Sequence, residues 1–221
     1  IEETLTRLVA GARQRVVIAS FASNVSRVQM AVNAAVANNR KVAFNGRSML
    51  RNMEIAEKMN LLRAPKGTII PIEEAAKMAP HKTVLITTGT QGEPMAALAR
   101  MANGDHQIQV GEGDTVLMAS SLIPGNENAI YGIINKLIDL GANIVHKGNA
   151  KVHVSGHASA GELVYCYNIV KPKNVLPVHG ESKHLHANAD LARKTGVPED
   201  RVVVGFDGVV VDLVDGKIKV A

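Results

Sequence analysis

The segment 151–157 (KVHVSGH) carries the densest set of side chains that could do chemistry. Alternation along an extended strand would place its two valines on one face and His153, Ser155 and His157 on the other. Two imidazoles and a hydroxyl would then share one surface, where Gly156 would let a ligand approach the backbone closely. A lone histidine is more often structural, but this combination favours a functional site.

A further histidine, His179, follows the apolar run 174–178 and would lie at the end of a strand, where an imidazole can ligate a metal or move a proton. His184 and His186 resemble a metal-binding pair, but side chains two apart on a helix point about 200° away from each other. We therefore assign them no metal. The remaining histidines are interpreted as surface or turn residues: His81, His106 and His146.

Three loops rich in small polar residues, 20–24, 87–93 and 119–126, each follow an apolar run and precede a helical pattern. The carboxyl ends of parallel strands line the ligand crevice of an open sheet, and helix N-termini there suit phosphate. In the alternative interpretation these residues merely cap helices. The candidate phosphate-binding residues in and beside these loops are Asn24, Arg27, Thr88, Gly89, Ser120 and Ser121. For Arg27, a solvated charge on a helix surface is an equally good interpretation.

These residues must be positioned by an alternation of short β-branched runs and helical stretches, which predicts an α/β fold with a parallel sheet. The predicted strands are 15–20, 41–44, 83–87, 107–110, 115–119, 143–145, 152–155 and 175–178. The predicted helices are 25–36, 48–59, 72–78, 94–102, 126–140, 160–170 and 182–194. Further strands with turns at Asp207-Gly208 and Asp215-Gly216 end the chain. The best division into domains lies near residue 150.

Net charge and aromatic content limit the classes of binding partner that suit this chain. A net charge of +5 on 221 residues favours a polyanion, and 3% aromatic residues argue against base stacking, so contacts to phosphate are expected. The one cysteine, Cys166, excludes an intramolecular disulfide and is predicted to be a buried, inert thiol. Apolar runs stay well below the roughly 18 residues of a membrane span, so a cytoplasmic protein is expected.

Five motifs in order carry a resemblance that covers essentially the whole chain: FASNVSRVQ (21–29), TTGTQGEP (87–94), ASSLIPGNENAI (119–130), KGNAKVHVSGHASAGEL (147–163) and PVHGE (177–181). Together they resemble the RNase J family of β-CASP nucleases, which have a metallo-β-lactamase fold. The resemblance implies a Rossmann-like β-CASP domain at 1–150. It assigns 151–221 to the C-terminal βαβ part of the metallo-β-lactamase domain. An opening at Ile1 rather than Met is typical of a fragment or a processed product.

The resemblance also implies roles for individual residues. His179 would ligate zinc, and His157 would bind the scissile phosphate and stabilise the transition state or assist proton transfer. Ser155 and Gly156 would cradle that phosphate or its neighbour, and His153 lies beside them in the same motif. Glu93 would orient His157 or a neighbour of the metal site. The family's main metal motif, His-x-His-x-Asp-His, does not occur in this sequence. The resemblance implies two zinc ions in the full-length enzyme. Because the main metal motif is missing, we expect this chain to hold neither ion tightly and to have no activity alone.

The implied function is RNA processing and degradation by endonuclease and 5′-to-3′ exonuclease activities. The implied substrate is single-stranded RNA with a 5′-monophosphate, and the full-length enzyme would form a homo-oligomer. Two alternatives stay open: a non-catalytic RNA-binding or scaffold paralogue, and a DNA-processing β-CASP relative. An unrelated Rossmann-like enzyme for small molecules is disfavoured, because no Gly-x-Gly-x-x-Gly motif follows the first predicted strand.

Overall fold

A computed structural model describes residues 1–123 and 125–221 and separates the chain into two units, Ile1–Val154 and Ser155–Ala221. The break lies close to the division near residue 150 that the sequence predicts. In the part of the chain that the model describes, no helix has the length and apolar character needed to cross a membrane.

Short apolar runs in the first unit form a five-stranded parallel sheet, which confirms the predicted α/β fold class. Its strands are β1 (Val16–Ala19), β2 (Lys41–Asn45), β3 (Thr83–Thr87), β4 (Thr115–Met118) and β5 (Asn143–Val145). The strand order is β2-β3-β1-β4-β5, so β1 lies at the centre between β3 and β4. Every residue of these three strands is buried, as expected of a parallel sheet covered on both faces.

Helices cover both faces of this sheet: α1 (Glu2–Gly11), α2 (Val25–Ala37), α3 (Arg47–Lys58), α4 (Ile72–Ala75), α5 (Ala97–Ala102) and α6 (Glu127–Asp139), with a 3₁₀ turn η1 at Pro80–Lys82. Alternation along β1 divides the core, because Ile18 packs with α1, α2 and α3 while Val17 packs with α5 and α6. The sequence patterns above do not predict α1. Its signal was nevertheless present, since Leu5, Leu8 and Val9 have helical spacing and face the core.

The predicted strand at 107–110 is wrong, although Ile108 and Val110 are buried in the core. Side chains bond to its backbone groups in place of a neighbouring strand: the His106 ring accepts from the Ile108 amide at 3.0 Å, and Arg15 donates to the Gln109 carbonyl at 3.3 Å. The prediction of a surface or turn role for His106 is also wrong, because only 8% of this residue is exposed. Its Nε2 lies 3.3 Å from Oδ1 of Asn45.

The second unit contains α7 (Ala160–Val170), α8 (Ser182–Lys194), a 3₁₀ turn η2 (Glu199–Arg201) and a hairpin of β6 (Val211–Val214) with β7 (Lys217–Val220). Val175 pairs in parallel with Val202 on the far side of α8, which makes a minimal βαβ arrangement. The turn at Asp215-Gly216 joins the hairpin strands, as the sequence predicts.

The predicted strand at 152–155 is also wrong, and the alternation of faces that depended on it fails. Val152 is fully buried while Val154 is 53% exposed. The described residues supply no neighbouring strand to bond this segment, and the Val152 amide donates to the Ala150 carbonyl within its own turn.

Cys166 is exposed, so the prediction of a buried thiol is wrong. It lies on α7, a helix with apolar residues around much of its circumference and no buried position. Tyr165, Ile169 and Val170 on the same helix are each more than 60% exposed. The apolar run around Cys166 thus predicts the helix correctly but does not predict that its side chains are exposed.

The buried imidazole of His106 makes stability depend on pH. Burial lowers the pKa of His106 from its ordinary 6.5, against a smaller opposing effect of the Ile108 carbonyl, and the charge of Arg100 lowers it further. The unfolded chain therefore takes up a proton before the folded one does. The contribution of His106 to the free energy of unfolding is therefore complete above about pH 6.5. As the pH decreases from there, the free energy of unfolding decreases by at most about 1.4 kcal/mol per pH unit because of this group.

Urea unfolding between pH 8 and pH 5 checks this, with His106→Gln expected to flatten the acid limb and His146→Gln, at an exposed turn, expected to leave it unchanged. An acid limb of equal slope in the wild-type protein and His106→Gln would contradict the assignment.

Candidate functional site

The three polar loops of the first unit lie at one edge of the sheet because they follow neighbouring strands. In the register of the central strand, Ala19 pairs with Thr87 on one side and with Met118 on the other. The Ser20 amide donates to the Thr87 carbonyl at 3.0 Å, and the Ala119 amide donates to the Ala19 carbonyl at 2.9 Å. The loops after β1, β3 and β4 therefore start side by side. Pro124, which belongs to the third predicted loop, lies outside the described residues.

Asn24 acts as a helix cap, the alternative that the sequence left open for these loops. Its Oδ1 accepts a hydrogen bond from the Arg27 amide at 3.0 Å, at the N-terminus of α2. A cap of this kind typically stabilises a protein by about 1 kcal/mol. Asn24 thus has a structural reason to be present, and phosphate binding by its side chain stays a prediction.

The Arg27 side chain is buried, with 5% of the residue exposed, so the alternative of a solvated surface charge is wrong. One guanidinium nitrogen donates to the carbonyls of Ala119 at 3.1 Å and Val152 at 2.5 Å. Burial lowers its pKa from the ordinary value. The guanidinium joins the end of β4 to the segment before the second unit, and this geometry disfavours the predicted contact with phosphate.

Gly89 is required by the conformation of the backbone and by the packing around it. Its φ is +110°, and a Cβ at this position would lie 2.9 Å from the Cβ of Leu98. The neighbouring Thr88 packs its hydroxyl against Gly46, where an added Cβ would lie 2.6 Å away. Tight packing explains these two residues without a phosphate, so their predicted contact with RNA stays a prediction.

The best-connected side chain at this edge is Gln91, to which the sequence motifs assigned no role. Its carboxamide is buried and donates to the Ser121 carbonyl at 2.9 Å. The backbone N–H of Gln91 donates to the carboxylate of Glu93 at 3.0 Å. Ser120 is buried, and the Ser121 hydroxyl lies 3.5 Å from Nζ of Lys147. The motif TTGTQGEP was the available signal, since Gln91 stands at its centre.

His153 belongs to the first unit and is half-buried there. Burial lowers its pKa from the ordinary 6.5, as do the charges of Arg27 and Lys147, while the Ala119 carbonyl raises it. Its Nδ1 is buried without a hydrogen-bond partner among the described residues. Because this nitrogen is closed to solvent, it gives no evidence of a ligand contact, and phosphate binding by His153 stays a prediction.

Ser155, Gly156 and His157 lie together in an exposed loop of the second unit. The Ser155 hydroxyl accepts a hydrogen bond from the His157 amide at 3.1 Å, which fixes the turn around Gly156. A Cβ added to Gly156 would meet nothing within 4 Å. The fold of the described residues therefore does not require glycine here.

The second unit brings together the two histidines to which the resemblance gives catalytic and metal-binding roles. The rings of His157 and His179 are stacked with centroids 5.9 Å apart and planes 7° from parallel. His179 has a φ of 61°, a left-handed conformation that is uncommon for residues other than glycine. Backbone strain of this kind is often found at functional sites.

The two rings border an open depression of about 560 Å³, which Leu163, Val178, His184 and Leu185 also line. Helix α8 begins at one wall of this depression, where the His184 amide donates to the Glu181 carbonyl at 2.8 Å and the Glu181 amide donates to the His184 ring at 3.3 Å. Lys183 lowers the pKa of Glu181. His186 is exposed on the same helix.

These residues do not fit a complete zinc site. An ion bound to an imidazole nitrogen lies near the ring plane at about 2.0–2.1 Å, and two separate parallel planes cannot both contain one ion. Among the described residues, no group of three histidine, cysteine, aspartate or glutamate side chains could hold a metal. His157 and His179 therefore cannot share one zinc in this arrangement.

Comparison with known proteins agrees with the motifs. The family model described as "Ribonuclease J, beta-CASP domain" matches residues 13–137, and the one described as "Zn-dependent metallo-hydrolase RNA specificity domain" matches residues 142–204. Ribonuclease J of Corynebacterium glutamicum is 61% identical over 221 residues, which are 100% of this chain and 31% of that protein. Ribonuclease J of Mycolicibacterium smegmatis is 54% identical over 99% of this chain and 39% of that protein. The chain thus spans about a third of the length of these relatives.

Arg27→Ala is expected to lower stability without changing how RNA binding depends on salt. The substitution leaves two carbonyls without their donor, and each unsatisfied buried group costs about 1–3 kcal/mol. Thermal unfolding measures the loss, and titration of a short 5′-phosphorylated oligonucleotide at several salt concentrations measures the slope. If stability held and the log-log slope became shallower by about 0.7, Arg27 would be a phosphate ligand after all.

Proposed function

The chain belongs to the ribonuclease J family, and we propose that the protein is a zinc-dependent ribonuclease that cuts RNA internally and degrades it from a 5′-monophosphorylated end. RNA as the substrate is supported by the match of residues 142–204 to a family described as a metallo-hydrolase RNA specificity domain. The net charge of +5 also suits a polyanionic substrate.

The observation that carries the proposal is the pairing of His157 with His179, which lie on separate loops of the second unit. Unpaired histidines scattered over a surface would give no reason to expect chemistry. Two parallel imidazoles instead border one open depression. The pair therefore supports two neighbouring tasks, performed by different residues.

His157 is the residue we assign to the phosphate. Exposure leaves its ring free to donate a hydrogen bond to a phosphate oxygen, and donors aimed at developing charge stabilise the transition state. The same ring can accept or donate a proton through its ring nitrogens. The Ser155 hydroxyl accepts a hydrogen bond from the His157 amide, which links these two residues of the loop.

His179 is the residue we assign to zinc, as one ligand of a site completed by residues outside this chain. His179 is the one described residue that we assign as a zinc ligand, whereas a closed zinc site needs about four ligands. We derive no step through the metal. A homo-oligomeric state and cytoplasmic localisation of the full-length protein remain predictions.

The separate tasks predict different losses in the full-length protein. His179→Ala is expected to reduce zinc content and RNA cleavage together, whereas His157→Ala keeps the zinc and lowers kcat by about 10²- to 10⁴-fold. Elemental analysis after dialysis and cleavage of a 5′-phosphorylated RNA measure the two quantities. His186→Ala, on the exposed side of α8, is the matched control and should change neither.

Equal zinc loss in the His157 and His179 variants would contradict the division of tasks. RNA binding without cleavage by the zinc-loaded wild type would instead favour a non-catalytic paralogue. Preferential cleavage of DNA would favour a DNA-processing relative.

Gly156 provides a second prediction, because the described fold gives no internal reason for glycine there. Gly156→Ala should leave the free energy of unfolding within about 0.5 kcal/mol of the wild-type value and reduce RNA turnover at least about tenfold. The reason is that the added methyl group occupies the space through which phosphate approaches the backbone. Gly161→Ala in α7 is the control, since a Cβ there also meets nothing within 4 Å. Unchanged turnover in Gly156→Ala would remove this residue from the site.

A further inference from the structure

The carboxamide of Gln91 holds two separate loops of the first unit together. It donates to the Ser121 carbonyl at 2.9 Å and accepts from the Ile123 amide at 3.0 Å. Nδ2 of Asn126 approaches the same oxygen at 3.4 Å. Only 7% of Gln91 is exposed, so water competes little for these bonds. The side chain therefore ties the loop after β3 to the loop after β4.

The order of the strands makes this link necessary. β3 and β4 are not neighbours, because β1 lies between them, so no ladder hydrogen bond joins these two strands directly and their loops can be linked only by other contacts. Packing supports the link on one side, since Gly92 presses against α6, where an added Cβ would lie 2.6 Å from the Cβ of Ala129. The turn at Gln91 is thus fixed against both the β4 loop and the helix that follows it.

Gln91 also holds Glu93 directly, through its backbone. The Gln91 amide donates to the Glu93 carboxylate at 3.0 Å, while Glu93 itself is exposed. One residue therefore contacts both the Glu93 carboxylate in the β3 loop and the Ser121 carbonyl in the β4 loop. We propose that Gln91 is a positioning residue that sets the spacing between the Glu93 carboxylate and Ser120-Ser121 for RNA cleavage.

This proposal rests on the proposed function, since it takes Glu93 and the two serines to act on RNA. The chemistry of the contact explains why glutamine is suited to it. One end of the amide must accept from N–H groups and the other must donate to a carbonyl. Glutamate would place an acceptor opposite the Ser121 carbonyl, and methionine would fill the volume with neither group.

A double-mutant cycle in the full-length protein separates positioning from simple stability. Gln91→Met is expected to lower kcat on a 5′-phosphorylated RNA by about 10- to 100-fold, because small displacements of catalytic groups are costly. In a Glu93→Gln background the same substitution should lower kcat less than about threefold, since the carboxylate that Gln91 positions is already gone. A purely structural role would produce the same loss in both backgrounds, and that result would overturn the proposal.

Gln29→Met is the matched control, because Gln29 also uses its carboxamide to bridge a backbone N–H and a backbone C=O, both of Arg63. Its effect on kcat should be less than about threefold. Should Gln91→Met not fold, Gln91→Glu replaces it in the cycle, since it keeps the acceptor for Ile123 and loses only the donor. An additive cycle for Gln91→Glu would equally overturn the proposal.

Hydrogen exchange tests the link between the loops without reference to activity. The Ile123 amide should exchange on the order of tenfold faster in Gln91→Met than in the wild type, whereas Gln29→Met leaves it unchanged. Unchanged exchange of Ile123 would overturn the inference whether or not the protein cleaves RNA. Faster exchange in a protein that cleaves no RNA would uphold the link and overturn the proposed function.

Discussion

Parallel pairing of the central strand with a neighbour on each side is the constraint on which the first unit depends. Because β1 pairs with β3 and β4 in the same direction, three carboxyl ends meet at one edge and three loops must start there. Burial of every residue in these strands excludes water, so polar groups that can meet solvent lie in the loops. Register thus decides which side chains can meet.

Polar side chains at that edge then face a choice between holding the loops and binding a ligand. A buried polar atom without a partner costs free energy, so the innermost groups bond to nearby backbone. Arg27 bonds to two carbonyls, and Gln91 bonds to a carbonyl and an amide. Residues farther out, such as Glu93, stay exposed. The inner layer therefore supports the loops and leaves the outer layer free for chemistry.

Sequence patterns predict what depends on neighbours along the chain. The predicted bounds of α7 and α8 agree with the structure because the residues that set a helix lie close together in the chain. The strands at 107–110 and 152–155 were wrong because a strand requires a partner, and apolar character alone does not supply one. Burial of individual side chains was harder to predict than secondary structure. Arg27 and His106 are polar residues that are buried, whereas Cys166 lies in an apolar run and is exposed. These outcomes depend on tertiary packing, which periodicity does not encode.

The two units differ in how much of their apolar surface is buried by their own residues. The first has a sheet with apolar clusters on both faces, and its loops are fixed by its own side chains. The second has a small cluster around Val175 and Val202 and leaves the apolar helix α7 largely uncovered. Contiguous exposed apolar surface is typical of an interaction site, so α7 is expected to be covered in the working protein. His157 and His179 stand on loops that flank this helix in the chain. The second unit therefore exposes its histidine pair and its apolar helix on neighbouring stretches of chain.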